Sequence, residues 1–280
     1  MLAGDPVSGG LTMNSIIIPH RDRHENLRQC VRSVEWSDAR LAGLAVTVPA
    51  WEVLIVDNGS ENRHAAEPFD VPARVRVIAD ERPMPIFAKC AMLNRGIAEA
   101  RGEVLTFLDA DAVVGPLWLA GIVALDDPAV TLLAYRVRYL PPRTRIAGEA
   151  QWLALFDEGV YARAPRAYEA YGEVRNNPKV APADPAGSVI GNSQFSIRRE
   201  ALGGLRWDER YVGRGWEDLD MLRRIVEHFG PRYRGAIRTE AAFSLYHVKN
   251  EYRGDWKTPA TTTANRRRFK GLDPCPKEAT

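Results

Sequence analysis

What most constrains this chain is a rhythm in its amino-terminal third: short β-branched runs, each halted by polar or turn-forming residues and followed by a stretch of helical period. Ser15-Ile16-Ile17-Ile18 stops at Pro19, and Leu27, Cys30, Val31 and Val34 then recur at helical spacing. Trp51-Glu52-Val53-Leu54-Ile55-Val56 stops at Asp57-Asn58-Gly59-Ser60, and Val75-Arg76-Val77-Ile78 forms a third run. Lys89 to Ala100 has a helical period, and Gly102 closes it before a fourth run that ends on Asp109-Ala110-Asp111. Strands alternating with helices at this spacing predict an α/β fold, a mostly parallel twisted sheet with helices on both faces. Its strand ends would gather Pro19, Asp57 and Asp111 along one edge, where open sheets of this type take their ligands.

Beyond Pro116 the pattern loosens. Tyr161 to Ala186 reads as a long ordered loop or a mobile lid. Order returns with a strand pattern over Ser188 to Arg198 and a helix over Glu217 to Phe229, marked by Leu219, Leu222, Ile225 and Val226. The expected organisation is a flexible leader over 1–14, one domain over 15–257 and a tail over 258–280 that has little to pack. Within the domain, 15–112 and 113–257 would form two halves. The formal net charge of +2 gives no global field that demands nucleic acid, and no run is long and apolar enough to span a membrane. Peripheral contact with a membrane surface stays compatible with the sequence. The chain reads as cytoplasmic, because Met1 to Asn14 lacks the order of a secretory signal. Cys30, Cys90 and Cys275 are widely spaced without a Cys-x-x-Cys pair, so Cys30 and Cys90 are expected in the core.

Several residue groups carry chemistry. Asp109 and Asp111 stand one residue apart after a strand, and two such carboxylates repel unless a cation or hydrogen bonds satisfy them. A site of oxygen ligands suits Mg²⁺ or Mn²⁺; a solvated loop or helix cap is the competing explanation. Arg21 and Arg23 place guanidinium forks at a strand end, suited to a diphosphate or a base edge, or else to solvent. Asp57 could accept hydrogen bonds from a uracil or ribose, or could belong to a plain turn. Lys89 opens a helix on which Asn94 follows. Glu217 and Asp218 open another, where acids are favoured by the helix dipole alone; Trp216 precedes them, and Gly213 and Gly215 let the backbone approach a ligand. His247 follows an apolar run late in the chain.

Taken in order, Ile17-Ile18-Pro19-His20-Arg21-Asp22-Arg23, Phe87-Ala88-Lys89 with Leu93-Asn94-Arg95-Gly96, Asp109-Ala110-Asp111 and Gly213-Arg214-Gly215-Trp216-Glu217-Asp218 resemble the signature of inverting, GT-A-type nucleotide-sugar glycosyltransferases. The β-1,4-galactosyltransferase-like branch is the nearest match, and the amino-terminal half also resembles the broad bacterial glycosyltransferase family. The resemblance covers about Ser15 to Phe269. It implies a GT-A-like single domain, with 15–112 as its nucleotide-binding half and 113–257 as its acceptor and catalytic half, that moves a hexose or N-acetylhexosamine from a UDP-sugar to a hydroxyl of a carbohydrate or other acceptor. It implies Asp111 and His247 as metal ligands, Mn²⁺ as the ion with Mg²⁺ second, Asp218 as the general base and Glu217 as its companion on sugar hydroxyls. Pro19, His20, Arg21, Arg23, Asp57, Lys89, Asn94, Asp109 and Ala110 would line the nucleotide and donor site, with Gly191 and Asn192 against the donor sugar. Trp216 and Arg214 would meet the acceptor. Arg214 stands where the animal pattern has a tryptophan, and His20 where it has another aromatic, so the acceptor is left open.

Two rivals follow from the same residues. A sugar-nucleotide nucleotidyltransferase also ends strands on a metal-binding acid, but it would want a glycine-rich loop after the first strand, and Pro19-His20-Arg21-Asp22-Arg23 has no glycine. A non-catalytic nucleotide-sugar-binding module is the other, although Asp111, Asp218 and His247 are all present.

Overall fold

The computed structural model describes residues 12–61, 73–79, 86–140, 146–157, 194–213, 215–244 and 259–272. Strand β1 (Met13–His20) leads into helix α1 (His24–Gly43), then β2 (Ala50–Asp57), β3 (Val75–Ala79), α2 (Lys89–Glu99) and β4 (Val104–Phe107). Next come the short β5 (Ala112–Val114), a 3₁₀ segment (Leu119–Asp126), β6 (Leu132–Tyr139) and α3 (Glu149–Leu155). The chain continues through β7 (Phe195–Arg198), α4 (Arg199–Leu202), α5 (Glu217–Phe229), β8 (Gly235–Ser244) and α6 (Pro259–Phe269).

The strands form one eight-stranded sheet in the order β3-β2-β1-β4-β7-β6-β8-β5. β3, β2, β1 and β4 are mutually parallel, β7 is antiparallel to both β4 and β6, β6 and β8 are parallel, and β5 is antiparallel to β8. The expected α/β class with a mostly parallel sheet is what the chain adopts. The cause is visible in β1, whose period of two sends Ile16 and Ile18 to one face and Ile17 to the other. Ile16 and Ile18 pack with Leu27, Val31 and Val34 of α1, while Ile17 packs with Met92, Leu93 and Ile97 of α2. With both faces covered, β1 is apolar in its middle. Gly96 permits the second contact, because a Cβ there would collide with the Ile17 side chain. Cys30 and Cys90 are buried in the two cores with free thiols, as expected.

β1 leads to β2 on one side, and the sheet later returns to β4 on its other side. The carboxyl ends of β1, β2 and β4 therefore flank a topological switch point, the crevice where parallel sheets bind ligands. Three expectations are revised. β1 starts at Met13, two residues inside the supposed leader. Residues 259–269 of the supposed loose tail form α6, in which Asn265 and Phe269 are buried. Beyond Pro116, β6, α3 and β8 add regular structure that the loosened pattern did not reveal. The loop over Tyr161–Ala186 lies outside the described residues.

Candidate active site

The register of β1 and β2 sets His20 beside Asp57 at their carboxyl ends. His20 Nδ1 lies 3.1 Å from Asp57 Oδ2, and the backbone N–H of Arg23 donates to His20 Nε2 at 3.1 Å. Nε2 is thereby an acceptor, so the proton of the neutral ring sits on Nδ1 and is donated to Asp57. The other Asp57 oxygen accepts from the backbone N–H of Ser60 at 2.8 Å. Burial alone would push the Asp57 carboxyl upward, but the bonds from His20 and Ser60 outweigh it and hold the group down at about 2. His20 is fully buried with both ring nitrogens engaged, so it positions Asp57 and the Arg21–Arg23 turn and offers no ring atom to a ligand. Asp22, at a φ of 55°, completes that turn: its N–H donates to Ser60 Oγ and its carboxylate accepts from Glu61 N–H. Pro19 contributes backbone at the end of β1, and Arg21 Nε stands 3.9 Å from Asp22 Oδ2.

Past β4 the chain turns, with the N–H of Ala112 on the carbonyl of Asp109, and carries Asp109-Ala110-Asp111 to the same edge. Ala110 packs into the core, so it presents no side chain to a ligand. The acids on either side of it each meet a cation. Asp111 Oδ2 is 3.4 Å from Arg23 Nη1, and Asp109 Oδ1 is 3.1 Å from Lys89 Nζ. Cys30 Sγ lies 3.6 Å from the Asp109 carbonyl, and the acids near this buried thiol reinforce the upward push that burial gives it.

Lys89 is the junction of the site. Its ammonium also lies 3.2 Å from Asp218 Oδ1 and 3.8 Å from Glu217 Oε1, both on the first turn of α5. Burial by itself would lower the Lys89 pKa, but Asp109, Asp218 and Glu217 together raise it beyond the ordinary lysine range. The three acids thus share the Lys89 ammonium. Burial lifts the Asp218 carboxyl, Lys89 opposes the lift, and Glu217 and Asp109 add to it, leaving the group raised to about 7. Glu217 is buried, and its Oε2 has no hydrogen-bond partner among the described residues. Simple capping does not account for this pair, since the hydrogen bond of Asp218 runs across to Lys89 on α2. Asp220, by contrast, is pinned by Arg223 Nη2 at 2.7 Å and Arg224 Nε at 2.8 Å, a supporting acid on the same helix.

The turn before α5 is unusual. Trp216 takes a φ of 76°, a region that a bulky side chain rarely enters, beside Gly213 at 74° and Gly215 at 99°. Its half-buried indole packs on Phe269 of α6 with ring centroids 5.1 Å apart. Asn265 of α6 donates to the Val212 carbonyl at 2.9 Å. Sequence reasoning missed α6 altogether; the signal it offered is the i, i+4 spacing of Asn265 and Phe269, which sets both on one helix face. Asn94 is redirected as well. Its amide donates to the Trp207 carbonyl and to Glu209 Oε1, each at 2.9 Å, and its oxygen accepts from Trp207 N–H, so it fastens α2 to that loop. Every polar group of Asn94 is thus engaged away from the Asp109–Lys89 cluster.

Gly191, Asn192, Arg214 and His247 lie outside the described residues. Among the described residues no group of three His, Cys, Asp or Glu side chains is arranged to hold a metal ion. Asp109 and Asp111 set two carboxylates at this edge, and hard oxygen donors of this kind have the chemistry that suits Mg²⁺ or Mn²⁺ with other positions kept for phosphate oxygens. No helix among the described residues is long and apolar enough to cross a membrane.

Comparison with known proteins agrees with this layout. The glycosyltransferase AglE of Haloferax volcanii is 28% identical over 141 residues, which are 48% of this chain and 42% of that protein. The chain thus spans less than half the length of this curated relative. Glucosyl-3-phosphoglycerate synthase from Mycobacterium tuberculosis, solved with Mg²⁺ and UDP, superposes with a TM-score of 0.57 at 16% identity, covering 95% of this chain and 81% of that one. The same synthase with Mn²⁺, UDP-glucose and phosphoglyceric acid gives 0.54 at 18%, covering 95% and 82%. At such identities the likeness shows the fold. The family model described as Glycosyl transferase family 2 matches residues 15–158, just over half of the chain, and holds both the Asp57 and the Asp109–Asp111 strand ends: the protein belongs to glycosyl transferase family 2.

Proposed function

We propose that the protein is a metal-dependent, inverting glycosyltransferase that moves a hexose or N-acetylhexosamine from a UDP-sugar to an acceptor hydroxyl. The observation that carries this reading is Lys89, which draws Asp109, on the edge shared with the strand ends, and Asp218, on α5, to within 3.2 Å of one ammonium. Donor chemistry and acceptor chemistry need to meet at such a point. The Arg21–Arg23 turn and Asp57 would hold the nucleotide, and Asp111, with His247, would hold Mn²⁺, or Mg²⁺ in second place. When bound, the ion supplies charge stabilisation to the leaving diphosphate. Asp218 accepts the proton of the acceptor hydroxyl as that oxygen bonds to the anomeric carbon; the bond from that carbon to the diphosphate oxygen breaks, UDP leaves and the configuration inverts. A carboxyl raised to about 7 suits a base at neutral pH better than an ordinary aspartate does. Glu217, with one buried oxygen unpartnered among the described residues, would take a hydrogen bond from a sugar hydroxyl.

The order of motifs supports the β-1,4-galactosyltransferase-like branch, with Trp216 and Arg214 toward the acceptor and Gly191 and Asn192 toward the donor sugar. Trp216 would use the edge of its indole that Phe269 does not cover. Free buried thiols at Cys30 and Cys90 suit a cytoplasmic setting. The test is a panel of nucleotide sugars assayed for Mn²⁺-dependent release of UDP with water or sugars as acceptor. Release of UDP from one donor is expected. Pyrophosphate release from a sugar phosphate and nucleoside triphosphate would make it a nucleotidyltransferase, and tight binding without turnover would make it a binding module.

A further inference from the structure

The two acids of the Asp109–Asp111 pair face cations that are held in different ways. Lys89 is buried and keeps Asp218 and Glu217 as partners whatever happens at Asp109. Arg23 pairs with Asp111 from a side chain that is 20% exposed, on the short turn between β1 and α1. Its backbone is fixed independently, since its N–H is bound to His20 Nε2, so the side chain can change partner without moving the turn.

We propose that Arg23 is the counter-ion of Asp111 in the unloaded site, and that a divalent ion and a nucleotide diphosphate displace it together. The ion takes over the Asp111 carboxylate while the guanidinium turns to the diphosphate oxygens. This rests on the metal and nucleotide assignments proposed above. A planar fork is suited to the exchange, because it matches carboxylate and phosphate alike and keeps its charge in both states. An acid as buried as Asp111 needs a cation near it in either state. The ion alone must expel a like charge from beside its ligand, and so binds weakly. Once a diphosphate offers the guanidinium a new partner that cost is removed, and by linkage each ligand tightens the other by the same factor.

Mn²⁺ uptake by the full chain can be followed through loss of the paramagnetic resonance signal of the free ion, with and without UDP, in the wild type, Arg23→Gln and Arg23→Lys. Without UDP, Arg23→Gln should bind Mn²⁺ roughly 5- to 10-fold more tightly than the wild type. UDP should then tighten Mn²⁺ by a smaller factor in Arg23→Gln than in the wild type. Arg23→Lys, which keeps the charge, should stay near the wild type without UDP. A circular dichroism melt confirms folding, and Arg23→Lys provides the reading should Arg23→Gln fail to fold: Mn²⁺ binding in it several-fold tighter than wild type without UDP would contradict the charge argument. Unchanged or weaker Mn²⁺ binding by Arg23→Gln without UDP overturns the counter-ion role alone. If the wild type takes up no Mn²⁺ even with saturating UDP, the metal assignment falls, and this inference falls with it.

Discussion

Replacing Lys89 with methionine keeps the length of the side chain and removes an ammonium that three carboxylates share. In the folded protein Lys89 lies 3.2 Å from Asp218 and opposes the rise that burial gives this acid, which settles at about 7. An opposite charge at such range typically moves a carboxyl by about 1–3 units. Its loss should carry the acidic limb of the kcat/KM profile upward by a similar amount, each unit corresponding to about 1.4 kcal/mol. For a shift of about two units, roughly fifty-fold fewer molecules would hold an ionised Asp218 at pH 7. The sign matters: activity lost at pH 7 should return as pH rises toward 9, because the proton acceptor is regained by deprotonation. The assay is UDP release against pH at fixed, saturating metal for wild type and Lys89→Met. A uniform loss at every pH would mean that Lys89 acts on the donor and not on Asp218. An acidic limb that stays in place would refute the electrostatic account altogether.

Asp218→Asn should fold normally and bind UDP while slowing transfer by roughly 10²–10⁴-fold, the usual effect of losing a general base. Because the folded carboxyl is raised, its ionisation lowers stability as pH climbs from its ordinary range to about 7, so thermal melts of Asp218→Asn should lose less stability between pH 5 and pH 8 than the wild type. Near wild-type turnover in Asp218→Asn with loss in Glu217→Gln would swap the two roles. His20→Phe keeps an aromatic ring but leaves Asp57 Oδ2 and the Arg23 N–H without their partners. A urea titration should show a loss on the order of 2–6 kcal/mol, about 1–3 for each of the two orphaned groups, and UDP affinity should fall as well; an unchanged midpoint would contradict the positioning role. The depressed pKa of Asp57 adds that wild-type stability from this group is complete above its unfolded value and lost as pH falls toward 2. Phe269→Ala removes a buried ring from α6 and should cost about 3–5 kcal/mol by the same titration, with transfer impaired more than UDP binding. Equal loss of both activities would show α6 to be general support and not a brace for the Trp216 turn.

The parts of the fold that could be read from sequence are those in which a local pattern fixes the outcome. The apolar run of β1 and the helical period of α2 each report the environment that will cover them, so β1, β2, β3 and α2 are legible to within two residues at each end, while β4 stops at Phe107, short of the acids on which its run ends. β5 is only three residues and β6 spans eight with no clear alternation, and their places depend on partners distant in sequence. The site divides along the same line. Residue types at strand ends announced Asp57, Asp109 and Asp111, whereas the fates of His20 and Asn94 were decided by pairings that only the assembled chain supplies. His20 meets Asp57 because β1 and β2 pair in register, and Asn94 meets Trp207 more than a hundred residues away.

Helix α6 is the largest element that local pattern concealed, and the reason bears on how the catalytic turn is held. A tryptophan at a φ of 76° stores about 1–3 kcal/mol of backbone strain, and such strain persists only where surrounding contacts over-determine it. Two of those contacts come from α6: the Phe269 ring against the indole, and Asn265 on the Val212 carbonyl. A third is the cation–π contact of Arg223 on Phe269, with the guanidinium carbon 4.8 Å from the ring centre, which ties α6 to α5 itself. With Trp216 so fixed, α5 begins where its first-turn acids reach Lys89; were the turn to relax, Glu217 and Asp218 would lose that aim. The helix is mostly polar because it packs through a single narrow stripe, and a narrow stripe leaves little hydrophobic period to detect. Its exposed arginines at 266 and 267 suggest a solvated tail to anyone reading composition, while Asn265 and Phe269 on the opposite side do the anchoring.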